Sequence, residues 1–550
     1  MTLLTLGLIS SLVLHANVVL SATTPTPTIV LDEGTFNGVA TTLDTHSFLG
    51  IPFAEPPVGD LRFRLPTKVA PYSGTYNATA MGPACPQQTV VVPILTGVVQ
   101  KIVSDLWEDW YSQKYPSAED CLTLNIIKPA NATAGSKLPV AMWLFAGGFE
   151  FGTPARYDGV PIVQRSIEMD QPIIYISINY RVSAFGFLGG KEVREAGVGN
   201  LGLHDQREAL RWTQKYIHLF GGDPSKVTIW GESAGAISVS LQMLANGGDT
   251  EGLFRAGYMQ SGSPVPVGPI ENGQKYYDDL VAGTGCAGAT DTLACLRTVP
   301  YTKLKAAQDA SPFFLSYQSL VLAWLPREDG VFLTDNPQRL VQQGKVANVP
   351  FVTGDCDDEG TVFSLSTLNI TTDQEFSEYI ASVWAPTASK ATLDALTSAY
   401  PSDLSVGSPF GTGILQALSP QYKRIASFQG DAVFHAPRRF FQHALSGKQN
   451  QWAYLNKRFK AVPFLGSFHT SDVRNVFNKG ELTDYLINFV TNLDPNGPTV
   501  PAWPQYSAEK PNLMTFSDGL FGKAVTDVTQ DTFRGEAMGV LTNISLQFPI

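Results

Sequence analysis

The sequence predicts an α/β fold, with helices on both faces of a large, mostly parallel central sheet. Two observations predict it: short apolar runs alternate with helical stretches, and nothing in the chain divides that alternation into separate units. Residues 139–145, 172–178, 227–230 and 349–353 read as strands. Their apolar character is nearly continuous, which implies burial on both faces. Between the second and third runs, Ala209, Leu210, Trp212, Tyr216 and Ile217 recur at helical spacing within residues 205–217. Strand–helix–strand order of this kind builds a sheet between two helical layers.

Composition fits a chain with a large core. Hydrophobic residues make up 44% and charged residues only 16%, which excludes a disordered chain unable to offset its ordering entropy. The 38 basic and 49 acidic side chains give 38 − 49 = −11, with no basic run, so nucleic acid is excluded as a partner. Length alone suggests about three or four domains. After the Thr/Pro segment at 22–28, however, no Ser/Gly/Pro linker, repeat or charge block appears, so 22–550 reads as a single domain.

The N-terminus reads as a signal peptide over residues 1–21. An apolar stretch runs to Leu20 and small residues follow at Ser21 and Ala22, where cleavage is expected. The leader lacks Lys and Arg, leaving only the amino terminus as its positive charge. His15 and Asn17 interrupt the apolar stretch and no basic stop-transfer cluster follows, which argues against a membrane anchor. Later runs fall short of the ~20 apolar residues of a transmembrane segment. Sequons at Asn77, Asn131, Asn369 and Asn543 add to the expectation of a secreted, extracellular glycoprotein.

The chemistry centres on GESAG at 231–235. This motif follows the strand ending at Trp230 and precedes a helix-forming run from Ala236 to Leu244. A turn this tight lifts the Ser233 hydroxyl off the sheet, and larger residues at Gly231 and Gly235 would collide with the neighbouring strand and helix. A serine hydroxyl needs a base, and the base an orienting acid, here in the chain order Ser, acid, His. Of the seven histidines, His15 lies in the leader, and His46, His204 and His218 precede the serine. His435 and His443 flank an apolar helical stripe and read as partly buried structural residues. His469, in a loop of small residues, remains as the base.

The acid lies in GDCDDEG at 354–360, which offers Asp355, Asp357, Asp358 and Glu359. A calcium loop is the competing reading, but its twelfth position is Ser366, which supplies no bidentate carboxylate. Four neighbouring acids repel one another unless one is paired, and Glu359 with a histidine is the favoured pairing. Gly147 and Gly148 end the strand at 139–145, where bare backbone N–H groups can approach a substrate. With the N–H of Ala234 they form a candidate oxyanion hole, each donor worth ~10²–10³ in rate.

Six stretches together resemble the type-B carboxylesterase/lipase family of α/β-hydrolases: FLGIPFAEPPVG at 48–59, SAEDCLTLN at 117–125, AGGF at 146–149, NYR at 179–181, FGGDP at 220–224 and GESAG. The likeness is greatest to fungal lipases and sterol esterases of the Candida rugosa type. It implies an α/β-hydrolase fold, with Ser233 as nucleophile, Glu359 as acid, His469 as base, and Gly147, Gly148 and Ala234 as oxyanion donors. Two departures stand out. Ala146 replaces a glycine common in relatives, and Cys356 is not required by the family motif.

The resemblance also implies disulfides Cys85–Cys121 and Cys286–Cys295, leaving Cys356 as a thiol. We read that thiol as shielded and inert, because neighbouring carboxylates suppress thiolate. The first disulfide bounds residues 86–120, where apolar pairs recur every four residues from Ile94 to Tyr111 along one broad helical stripe. A helix packed permanently on the core is the competing reading; the family places its lid in this loop, so the stripe is expected to cover the site in water and open onto lipid.

The expected activity is therefore hydrolysis of apolar esters by a serine carboxylic-ester hydrolase of lipase or sterol-esterase type. It would require no metal or cofactor and would work at a lipid–water interface as a monomer or weak homodimer. A feruloyl-type or short-chain carboxylesterase would use the same machinery. A non-catalytic binding homologue would typically lack the three reacting residues. Phe149, Phe151 and Phe363 are the expected substrate-binding aromatics and suit acyl or aryl groups alike.

Overall fold

A computed structural model describes residues 26–42, 44–90, 100, 101, 104 and 115–550. The leader and most of the apolar stripe from Ile94 to Tyr111 lie outside the described residues. In chain order the first strands are β1 (Thr28–Leu31), β2 (Glu33–Asn37), β3 (Val39–Ala40), β4 (Thr45–Pro52) and β5 (Ser73–Asn77). Then come β6 (Thr123–Pro129), β7 (Leu138–Leu144), β8 (Ile174–Ile178), β9 (Gly222–Glu232) and β10 (Ala256–Gln260). The last four are β11 (Phe351–Cys356), β12 (Gln451–Lys457), β13 (Asn512–Asp518) and β14 (Ala524–Gln530).

β1, β2 and β5 form a small sheet; the others form an eleven-stranded sheet in the order β14-β13-β12-β11-β10-β9-β7-β8-β6-β4-β3. The run from β8 through β7, β9, β10, β11 and β12 to β13 is parallel throughout. Antiparallel strands close both ends. Every residue of β6, β8, β10 and β11 is buried, as in a sheet covered on both faces.

Side-chain alternation shows that both faces are covered. A Cβ on Gly257 of β10 would meet Val239 and Met243 of the helix Ala234–Leu244. The next residue, Tyr258, meets Phe489 of the helix Glu481–Asn492 at 6.0 Å between ring centroids. Successive strand residues point to opposite faces, so these two helices lie on opposite sides of the sheet.

Element boundaries differ modestly from the sequence reading. The helix expected from residue 205 begins at Leu201, directly after Asn200 in left-handed backbone. The strand read at 349–353 spans Phe351–Cys356 instead. Pro350 precedes that strand and has no N–H for the ladder. Among the described residues, no helix is long and apolar enough to cross a membrane.

Candidate active site

β9 ends one residue before Ser233, and the helix Ala234–Leu244 starts one residue after it. To make this turn Ser233 adopts φ 53° and ψ −122°. Such strain costs on the order of 1–3 kcal/mol and persists only where its surroundings enforce it. Here Ser233 N–H donates to Gln260 O at the end of β10 (2.8 Å), and Ile237 N–H donates to Ser233 O (2.9 Å). A Cβ on Gly231 would lie 2.4 Å from the Gly235 carbonyl carbon, and one on Gly235 would lie 2.0 Å from Leu144 O. The two glycines are therefore steric requirements of the turn. Ser233 sits at the N-terminus of an eleven-residue helix, where unpaired N–H groups and the helix dipole favour negative charge.

His469, in the loop after β12, reaches Ser233, and Glu359, in the loop after β11, reaches His469. His469 Nε2 lies 2.8 Å from Ser233 Oγ, and His469 Nδ1 lies 2.5 Å from Glu359 Oε2. Glu359 Oε1 accepts the Cys356 N–H at 2.6 Å. All three side chains are buried. The imidazole can thus accept the serine proton on one nitrogen while its other N–H is held by a carboxylate.

The remaining acids of GDCDDEG each have a partner, so the expected pairing of one acid accounts for only part of the charge. Asp355 accepts from Arg438 Nε (2.7 Å) and pairs with His435 Nδ1 (3.0 Å). Burial alone would raise the Asp355 pKa, but Arg438 and His435 outweigh it and hold the carboxyl below its usual range. Asp357 and Asp358 share Lys460 Nζ, at 2.5 Å each. The reading of His435 and His443 as partly buried separates in the structure: His435 is fully buried, whereas His443 is exposed.

Gly147 and Gly148 follow β7 with φ 130° and 60°, conformations that favour glycine. A Cβ on Gly147 would fall 2.0 Å from Phe151 O, whereas one on Gly148 would meet only Leu322, at 3.5 Å. Gly147, Gly148, Ser233, Ala234 and His469 border one cavity of about 1230 Å³, its open mouth included. Phe149, Phe151 and Phe363 line the same cavity. Sequence reasoning missed Phe434, whose ring is 4.6 Å from that of His469, nearer than Phe363 at 5.2 Å. It also missed Phe314 and Leu322, which come from a segment without a local motif.

A further omission is Glu232, one residue before the serine. Both carboxyl oxygens are buried without a hydrogen-bond partner among the described residues. Burial, reinforced by Asp472 and Glu359, holds its pKa well above the usual carboxylate range. Asp472, raised mainly by burial, accepts from Gln260 Nε2 (3.0 Å) and Tyr454 OH (2.5 Å). Adjacency to Ser233 was the one available sequence signal for Glu232.

The disulfides Cys85–Cys121 and Cys286–Cys295 are present. Cys356 is a buried thiol whose pKa is raised first by burial, then by Asp472 and Glu359. The four sequon asparagines are all exposed.

This fold and site define an α/β-hydrolase. The chain belongs to the carboxylesterase family, matching it across residues 25–530, and is a carboxylic ester hydrolase. It is 42% identical to lipase 4 of Diutina rugosa over 504 residues, covering 88% of this chain and 90% of the relative. Secreted lipase 1 of Botryotinia fuckeliana is 43% identical over 532 residues, covering 93% and 92%. Secreted triacylglycerol lipase LIP1 of Gibberella zeae is 41% identical over 525 residues, covering 92% and 89%. The crystal structure of Aspergillus niger EstA matches with a TM-score of 0.80 at 27% identity, covering 96% of this chain and 99% of that one.

Proposed function

We propose that the protein hydrolyses apolar esters through an acyl-enzyme, with Ser233 as nucleophile, His469 as general base and Glu359 as the orienting acid. The observation that carries this reading is the continuous hydrogen-bonded array of those side chains at the wall of an apolar cavity. Ser233 Oγ attacks the acyl carbonyl while its proton passes to His469 Nε2. Glu359 holds the Nδ1–H and stabilises the imidazolium. The N–H groups of Gly147, Gly148 and Ala234 receive the oxyanion. Collapse of the tetrahedral species breaks the C–O bond to the alcohol, which leaves with the imidazolium proton. Water, deprotonated by His469, then attacks the acyl-serine and releases the carboxylic acid and free Ser233.

Ser233→Ala tests the reading. It should abolish turnover and active-site phosphonate labelling while circular dichroism remains unchanged. Retained turnover would overturn the assignment.

The substrates we infer are lipase-type esters with long acyl chains. Phe149, Phe151 and Phe363 line the cavity, and relatives at 41–43% identity carry lipase names. Rates on p-nitrophenyl esters from C2 to C18, a sterol ester and methyl ferulate distinguish this from short-chain and feruloyl esterases. A maximum at C2, or on methyl ferulate, would reject the lipase reading. The exposed sequons and the names of two relatives support export, with residues 1–21 removed and 22–550 acting as one hydrolase domain.

A further inference from the structure

We propose that Asp358 is a positioning residue for ester hydrolysis, joining the loop that bears Glu359 to the loop that bears His469 and setting the separation of acid and base. The proposal rests on the reading of Ser233, His469 and Glu359 as the reacting array. Asp358 touches none of the reacting atoms and would act through its neighbours on both sides.

The join is reciprocal. Asp358 N–H donates to Ser467 O at 3.0 Å, and Ser467 N–H donates back to Asp358 Oδ2 at 2.8 Å. Asp358 immediately precedes Glu359, and Ser467 lies two residues before His469. The bridge therefore closes within two residues of each member of the acid–base pair. The other carboxylate oxygen, Oδ1, accepts from Ser408 Oγ at 3.0 Å and Phe410 N–H at 2.8 Å. Lys460 Nζ completes the cluster, donating to Oδ2 at 2.5 Å while also pairing with Asp357. Four donors thus converge on one fully buried carboxylate.

Gly466 fits the same purpose. Its φ is 60°, and a Cβ there would lie 2.3 Å from Asp358 Oδ2. The base-bearing loop thus carries a glycine where the carboxylate must approach. Two neutral contacts support the join. Thr361 Oγ donates to Leu465 O (2.9 Å), and Tyr422 OH donates to Phe464 O (2.8 Å). Asp358 alone among these presents a charge to several donors at once. An amide would turn its NH₂ toward one of those donors, loosening the loop without emptying the site.

The test compares Asp358→Asn and Gly466→Ala with wild type on a soluble p-nitrophenyl ester and in phosphonate labelling of Ser233. Misplacing a reacting pair by about 1 Å costs up to ~10²-fold in rate. Both variants should therefore lose about 10- to 100-fold in kcat with KM within about twofold, and labelling should slow in proportion. A buried ion pair with only a structural role would lower Tm and leave the kcat of the folded protein unchanged. Wild-type kcat in both folded variants, or a change confined to KM, overturns the proposal. Should neither variant fold, Lys460→Met at a partly exposed position is assayed the same way. A several-fold loss of kcat at constant KM supports the proposal, and unchanged kcat overturns it. Wild-type protein that is not labelled at Ser233 would instead refute the reading of the array itself.

Discussion

Glu232 Oε1 lies 3.5 Å from His469 Nε2, the same nitrogen that Ser233 Oγ meets at 2.8 Å. The histidine therefore faces a buried acid on its serine side as well as Glu359 on the other. Because burial holds the Glu232 pKa well above its ordinary 4.5, the folded chain keeps a proton that the unfolded chain releases above that pH. Stability therefore falls as pH rises from 4.5 toward the raised value. Glu232→Gln cannot ionise, so its Tm relative to wild type should climb as pH rises above about 4.5. A difference that stays flat above that pH would show that Glu232 is not held protonated.

The two glycines after β7 should differ in their tolerance of a side chain. Gly147→Ala places a Cβ 2.0 Å from Phe151 O, so the backbone must move and a proposed oxyanion donor moves with it. The expected loss is ~10²–10³ in kcat. Gly148→Ala meets only Leu322 at 3.5 Å and incurs mainly the strain of its φ of 60°, so its loss should be at least tenfold smaller. Equal losses in steady-state assays would contradict this ordering.

His204 should contribute to acid lability. Burial, followed by the positive charges of Arg181, Arg211 and Arg207, pushes its pKa from 6.5 down to about 4. Between those values the unfolded state binds the proton and the folded state does not. Stability present above pH 6.5 is therefore lost as pH falls toward 4, by on the order of 3 kcal/mol. Urea unfolding of wild type and His204→Leu at about pH 7 and about pH 4.5 measures the effect. Wild type should lose more stability across that interval than the variant. Equal losses would remove His204 as the source.

Cys356 should be chemically silent in the native protein. Its sulfur is buried among Ser471, Asn456 and Ser261, and burial pushes the thiol pKa well up. Iodoacetamide at about pH 8 should leave it unmodified, whereas unfolding without reductant should expose one alkylatable thiol per chain. Native alkylation at a comparable rate would contradict the shielded reading.

What was legible in the sequence follows from how local each constraint is. Gly231 and Gly235 answer to contacts within the strand–turn–helix itself and at the adjoining end of β7, so five letters in context locate Ser233. Chain order, the small-residue loop around His469 and the pairing of one acid with a histidine then point to Glu359 and His469. Phe434, Phe314 and Leu322 were not legible because their place in the cavity depends on long-range packing of otherwise ordinary helical and loop segments. The acidic run shows the same division. Its four carboxylates are visible in the sequence, but their partners Arg438, His435, Lys460 and His469 lie 80 to 110 residues away.

The strand order also bears on His469, the proposed base. Ser233 follows β9 and Glu359 follows β11, so β10 stands between them, separating the flanking strands by two spacings, or about 10 Å. Ser233 and Glu359 are joined across that interval by the His469 ring. What fills the interval must be rigid and two-ended, accepting a proton at one tip while donating at the other. The His469 ring meets both demands, with Nε2 at Ser233 and Nδ1 at Glu359, whereas a lysine carries a single nitrogen. The sheet thus acts as a gauge, its repeat setting the interval that the His469 ring bridges.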